Sequence, residues 1–208
     1  SQRGRELTVS AEDPVPSIRA GKPVILPTDT VYGLCADGYR EAPVVRLARL
    51  KGRPAGMPVA LLAADFDAIL DAVPELRGRA AVVARALLPG PYTLVLPNPG
   101  RRFRWLTGSR PDTIGIRVPE LSPVVRGAIE RVGVVAATSA NIHGARDPCR
   151  IEEIPDELTR AVATIVDGGE LPGTPSTVVD VTGPEPAVLR EGVVPAAEAV
   201  TRIAAALR

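Results

Sequence analysis

A single histidine, His143, is all that the 208-residue sequence offers for imidazole chemistry. Cys/His zinc sites are thereby removed, and a Ser-His-Asp apparatus could form only around that residue. Two cysteines, Cys35 and Cys149, are too few for a secreted disulfide scaffold and read as reduced thiols without a catalytic task. No stretch approaches the roughly 20 consecutive apolar residues that span a bilayer. The N-terminus is polar and charged, so a cytoplasmic chain without membrane contact is expected. Aromatic residues make up only 3%, which argues against the stacking surface of a single-stranded RNA binder. Formal net charge is +1, so no global field favours nucleic acid or an anionic surface. Any basic site must be local. Neither a G-x-x-x-x-G-K-[ST] loop nor a G-x-G-x-x-G fingerprint occurs, since Gly21-Lys22 runs into Pro23. A nucleotide, if bound, is held without either Gly-rich cradle.

What is present is an alternation of β-type and helical segments. The pattern predicts strands over 23–27, 58–63, 92–97, 113–119, 133–138, 163–166, 176–181 and 187–190. Helices are expected over 42–51, 75–88, 122–132 and 196–207, where Val125, Ile129 and Val132 recur at helical spacing, with a short proline-punctuated helix before Gly21. This order favours an α/β sandwich around a twisted sheet, with antiparallel hairpins in the last third. The length suits one well-buried domain. We expect a flexible N-terminal segment, residues 1–13, followed by a single catalytic domain, residues 14–208.

Four clusters could carry chemistry. Pro27-Thr28-Asp29-Thr30-Val31-Tyr32-Gly33-Leu34 packs hydroxyls, a carboxylate and a phenol into one strand exit, either as a ligand loop or as a turn capped by Asp29. Lys51-Gly52-Arg53-Pro54 ends a helix, either as basic capping or as a phosphate clamp that joins a point charge to a planar fork. Arg117, alone in the apolar strand Ile114-Gly115-Ile116, needs a partner: a structural carboxylate, or the carboxylate of a small ligand. Thr138-Ser139-Ala140-Asn141 ends another apolar run with short hydrogen-bonding side chains, as caps or as site residues. Ser176-Thr177 opens one strand and Arg190-Glu191-Gly192 closes another.

These segments, taken in order with Pro89-Gly90-Pro91-Tyr92-Thr93-Leu94-Val95-Leu96, resemble the YrdC-like family of threonylcarbamoyl-AMP synthases from about residue 14 to the C-terminus. The resemblance implies a twisted mixed α/β sheet with flanking helices and a deep basic cavity. It implies a nucleotidyltransferase that joins L-threonine, bicarbonate and ATP, with release of pyrophosphate, for threonylcarbamoyladenosine modification of tRNA. Lys51 and Arg53 match the catalytic pair, and with Ser139, Asn141 and Arg190 they match the ATP-binding residues. Thr30, Arg117 and Ser176 look like the threonine pocket. Mg²⁺ is expected on the triphosphate rather than in a protein metal site. A downstream tRNA threonylcarbamoyltransferase is the implied partner, with direct tRNA binding weak or absent, and the short form without an extra C-terminal domain is expected.

Three positions depart from the family pattern: Met57 for a polar or basic residue, His143 for a small one, and Glu191 for proline. Met57 is expected to remove a phosphate contact, His143 to narrow the nucleotide mouth, and Glu191 to place negative charge beside Arg190. Two other readings stand beside this one: a paralogue that makes another carbamoyl adenylate, and a non-catalytic RNA-binding module.

Overall fold

The computed structural model describes residues 12–208. Most of the expected flexible segment therefore lies outside the described residues. Asp13, at its end, is held by Arg131 through two contacts of 2.7 Å.

Nine strands form one sheet: β1 Val24–Pro27, β2 Tyr32–Asp37, β3 Ala60–Ala63, β4 Tyr92–Pro97, β5 Thr113–Arg117, β6 Val134–Ser139, β7 Thr164–Ile165, β8 Thr177–Asp180 and β9 Ala187–Arg190. Their order is β7-β1-β2-β6-β3-β5-β4-β8-β9, with parallel and antiparallel neighbours, so the expected mixed sheet is present. The helices are α1 Val15–Arg19, α2 Glu41–Leu50, α3 Phe66–Ala72, α4 Gly78–Leu87, α5 Pro123–Val132, α6 Asp156–Ala161 and α7 Ala196–Ala206. Among the described residues no helix is long and apolar enough to cross a membrane.

Two differences from the sequence expectation matter for the site. The Pro27–Leu34 segment is not a strand exit alone: β2 begins at Tyr32 and pairs antiparallel with β1, so Thr28 to Val31 form the turn of a hairpin. The strands of the last third do not all neighbour one another either. β8 and β9 form the expected antiparallel hairpin, but β7 pairs parallel with β1 at the opposite edge, and the chain crosses between them through residues 166–176.

The two faces of the sheet are covered unequally. On one face Leu34, Leu61, Leu94, Ile116 and Ala136 pack against α2, α3, α4, α6 and α7 in one continuous core. On the other, Ile18 of α1 and Val125 and Ile129 of α5 cover only Val24, Leu26, Cys35, Leu62, Val135 and Ala137. The rest of that face carries Thr93 and Val95, Gly115 and Arg117, and Ser176 and Val178, and it is open. Strand alternation places these residues there. In β4, Tyr92, Leu94 and Leu96 are fully buried toward the helices, so the intervening Thr93 and Val95 turn the other way.

Helix ends set the loops that matter. Helix α2 stops in a Schellman motif, with Arg53 N–H on the Ala48 carbonyl at 2.9 Å and Gly52 N–H on that of Arg49 at 3.1 Å. Gly52 has φ +61°, the left-handed conformation that a residue with a Cβ rarely adopts. The turn sends Lys51 and Arg53 onto the open face. Helix α5 begins at Ser122, which accepts the Val125 N–H, has Pro123 at its first position, and ends at Gly133 with φ +90°.

Candidate functional site

The open half of the sheet is the floor of a cavity of about 550 Å³. Every residue assigned to a site from the sequence lines it: Thr30, Lys51, Arg53, Arg117, Ser139, Asn141, Ser176 and Arg190. They separate into two groups.

The first group is built on Lys51, which is only 3% exposed. Its ammonium donates to the Ser139 carbonyl, to Asn141 Oδ1 at 2.6 Å and to Ser139 Oγ at 3.3 Å. Ser139 Oγ donates onward to Asn141 Oδ1 at 2.7 Å, and the Asn141 amide donates to the Ala145 carbonyl at 2.6 Å. Neither Ser139 nor Asn141 caps a helix; both orient the lysine. Burial pushes the Lys51 ammonium down to about 8, helped by the neighbouring Arg53 and opposed by Asp147. Beside it, Arg53 Nη1 is buried without a hydrogen-bond partner.

The second group gathers on Arg117. Its Nη2 donates to Asp29 Oδ1 at 2.8 Å, its Nη1 makes a long contact of 3.4 Å with Thr30 Oγ1, and its Nε is buried without a partner. The structural carboxylate left open by the sequence is therefore present, yet it does not exhaust the guanidinium. Burial drives the Arg117 pKa down and that of Asp29 up, and each charge partly offsets the effect on the other. Asp29 is not the cap of its turn. That task falls to Thr28, whose Oγ donates to the Val31 carbonyl at 2.7 Å and accepts the Thr30 and Val31 N–H groups.

Ser176 Oγ shares a hydrogen bond of 2.7 Å with Thr93 Oγ1. Arg190 Nη2 donates to the Ser176 carbonyl at 2.8 Å and to its Oγ at 3.2 Å. Arg190, grouped with the nucleotide residues by resemblance, is thus placed directly on a residue of the threonine group. Gly192 permits this arrangement, because a Cβ there would lie 2.1 Å from the Pro175 carbonyl oxygen. Thr93 was missed by the sequence reading, although the alternation of Tyr92, Leu94 and Leu96 marks it as facing the other side of the sheet.

The departures from the family pattern also find places. Met57 and His143 both line the cavity, and the His143 N–H donates to the Lys51 carbonyl at 2.9 Å. Glu191 is occupied elsewhere: its Oε2 accepts the Ala196 N–H at 2.8 Å and so caps α7. Cys35 lies on the same face of the sheet but fully buried in the cluster with Ile18, Val125 and Ile129, and its thiol is pushed up to about 12, so the sulfur is no nucleophile.

The electrostatics favour an anion. The lining holds Lys51, Arg53, Arg110, Arg117 and Arg190 against one carboxylate, Asp147. Arg110 is neutralised by Asp180 and Arg117 by Asp29, which leaves Lys51, Arg53 and Arg190 without an ion-pair partner among the described residues. An unmade hydrogen bond to a buried charged donor costs on the order of 1–3 kcal/mol or more. Arg53 Nη1 and Arg117 Nε are two such donors, on side chains that line the cavity.

Known proteins resemble the chain over most of its length. The Sua5/YciO/YrdC family model, described as telomere recombination, matches residues 17–192. The threonylcarbamoyl-AMP synthase of Pyrococcus abyssi is 38% identical over 184 residues, which make up 87% of this chain and 53% of that protein. The chain thus spans about half the length of this relative. A putative threonylcarbamoyl-AMP synthase of Mycobacterium tuberculosis is 38% identical over 192 residues, 92% of this chain and 86% of its own. The crystal structure of Pyrococcus abyssi Sua5 complexed with L-threonine superposes with a TM-score of 0.78 at 34% identity, over 91% of this chain and 56% of that one. The sequence match over nearly the whole chain and the shared fold together establish that it belongs to the Sua5/YciO/YrdC family.

Proposed function

We propose that the chain is a threonylcarbamoyl-AMP synthase. The observation that carries the proposal is the convergence on one cavity of Lys51, Arg53 and Arg190, none with an ion-pair partner among the described residues, and of Arg117 with the hydroxyls of Thr30, Thr93 and Ser176. The Lys51 and Arg53 end suits a phosphate. The Arg117 end suits the carboxylate of a hydroxy amino acid.

In this reading the threonine amine takes up the carbon of bicarbonate as a carbamate, with loss of water. A carbamate oxygen then forms a bond to the α-phosphorus of ATP while the bond to the β-phosphate bridge breaks, and pyrophosphate leaves. No strong protein nucleophile is required, which suits a cavity with a single histidine in its lining and with Cys35 buried. The enzyme supplies alignment of carbamate and phosphate and positive charge where the leaving group develops its own. Lys51 and Arg53 provide that charge, and Ser139 and Asn141 hold the lysine. Mg²⁺ would be held by the triphosphate oxygens and would offset their charge, with Asp147, the one carboxylate on the wall among the described residues, available to it. The adenylate passes to a tRNA threonylcarbamoyltransferase, and the reaction belongs to the cytoplasm, where tRNA and ATP are found.

The same geometry predicts a pH dependence. With Lys51 titrating near 8 in the free protein, a bound triphosphate favours the ammonium and raises that value. ATP affinity should therefore fall as pH rises through about 8, and binding above that pH should take up a proton. Calorimetry at pH above 8 in two buffers of different ionisation enthalpy measures the uptake. The signal should vanish in Lys51→Met; an identical proton uptake in that variant would assign it to another group. For stability the sign follows from the lowered value: the native state binds fewer protons than the unfolded one between about 8 and 10.5, so this lysine's unfavourable contribution is full below that window and is relieved as pH rises through it.

The reaction itself is tested by incubating the protein with ATP, threonine and labelled bicarbonate. The label should appear in an adenylate. Label found only in free carbamate, with ATP intact, would reject the assignment.

A further inference from the structure

Asp29 is not on the cavity wall, although Thr28 and Thr30 on either side of it are. It lies behind Arg117. Its Oδ1 accepts Arg117 Nη2 at 2.8 Å, and its Oδ2 accepts the Glu120 N–H at 3.1 Å. The carboxylate thus bridges the last residue of β5 and the backbone three residues further on. Both side chains of the pair are nearly out of solvent, at 11% and 13% exposure.

A buried ion pair is weak evidence for stability, because desolvation opposes the Coulomb attraction, and apolar residues of similar volume often serve as well. What this pair does is geometric. A guanidinium with one edge pinned keeps its plane fixed, and here the pinned edge leaves Nη1 beside Thr30 Oγ1, at 3.4 Å, on the cavity that both residues line. Released from Asp29, the group would turn toward whichever acceptor or solvent it could reach. We propose that Asp29 is a positioning residue for the amino-acid substrate: it holds Arg117 so that the Nη1 side of the guanidinium meets the substrate carboxylate, and it ties that orientation to the hairpin turn that carries Thr30. The turn is anchored as well, since the Thr30 carbonyl accepts the Gly173 N–H at 2.9 Å and Thr28 closes it from within. One carboxylate thus sets the relative placement of Thr30 and Arg117, residues 87 apart in sequence.

The inference rests on reading this end of the cavity as the amino-acid site, so its test reads binding of each substrate separately. Threonine and ATP affinities are measured by calorimetry for wild type, Asp29→Asn and Asp29→Glu, with melting temperatures alongside. Asp29→Asn should weaken threonine by roughly tenfold or more, as misplacement of a positioned group does, and leave ATP within about twofold. Asp29→Glu keeps the charge but moves the guanidinium by the extra methylene, and should show a smaller loss confined to threonine. A lowered melting temperature with unchanged threonine affinity would make Asp29 structural only. Tighter threonine binding would make it a competitor for Arg117, and equal losses for both substrates would point to general collapse of the cavity; each of these overturns the proposal. Should Asp29→Asn not fold, Asp29→Glu decides by the same criterion. Wild type that binds no threonine would remove the functional reading and this proposal together, whereas wild type that binds beside an unaffected Asp29→Asn would remove this proposal alone.

Discussion

Replacing Arg53 with alanine is expected to lower turnover by about 10²-fold or more, because loss of one preorganised donor to developing charge typically amounts to a few kcal/mol. Arg53 follows the Gly52 turn that ends α2, and its Nη1 has no protein partner, so the folded protein loses little when it goes. Lys51→Ala should fall at least as far for a second reason. Its ammonium organises the Ser139 and Asn141 side chains, which remain bonded to one another but lose their common centre. Both variants should fold. Steady-state pyrophosphate release measures the effect, and near wild-type turnover in either folded variant would remove the phosphate clamp from the account.

Arg117→Lys is expected to weaken threonine far more than ATP. A lysine can still reach Asp29, but as a point charge it cannot present a planar fork that binds Asp29 through Nη2 and sets Nη1 beside Thr30. A charge-assisted hydrogen bond contributes about 1.5–3 kcal/mol, so threonine affinity should drop roughly 10- to 150-fold. Calorimetry with each substrate separates this from a structural effect. Unchanged threonine affinity with a lower melting temperature would mean that pairing with Asp29 is the whole role of Arg117.

Much of the sheet could be read from the chain because its strands alternate or run apolar between turn residues. β4 shows both faces in Tyr92-Thr93-Leu94-Val95-Leu96, and α5 is bounded by Ser122-Pro123 and Gly133. β2 was not legible: five of its six residues are buried, on both faces, so nothing alternates, and Gly33 and Ala36 carry no β-type signal. α3 and α6, at seven and six residues, are too short for helical periodicity to emerge.

The candidate residues were legible as motifs in order, but their partners were not. Arg117 and Asp29 stand 88 positions apart, and only the placement of β5 behind the hairpin turn joins them. Arg190 meets Ser176 because of the β8 and β9 register, including its irregularity at Val178 and Val179. The part of Glu191 in capping α7 needed the helix start at Ala196 to be known first.

In the proposed reaction one cavity joins an amino-acid carbamate to the adenylyl group of ATP. Pyrophosphate release, followed with ATP present while threonine and bicarbonate are each omitted in turn, tests it most directly. Release should require both, and serine should replace threonine poorly, since one methyl in a close-fitting pocket contributes about 1–3 kcal/mol, or roughly 10- to 200-fold in specificity. Release that proceeds without threonine, or that carbamoyl phosphate supports in place of threonine and bicarbonate together, would contradict the account and favour a different carbamoyl adenylate as the product.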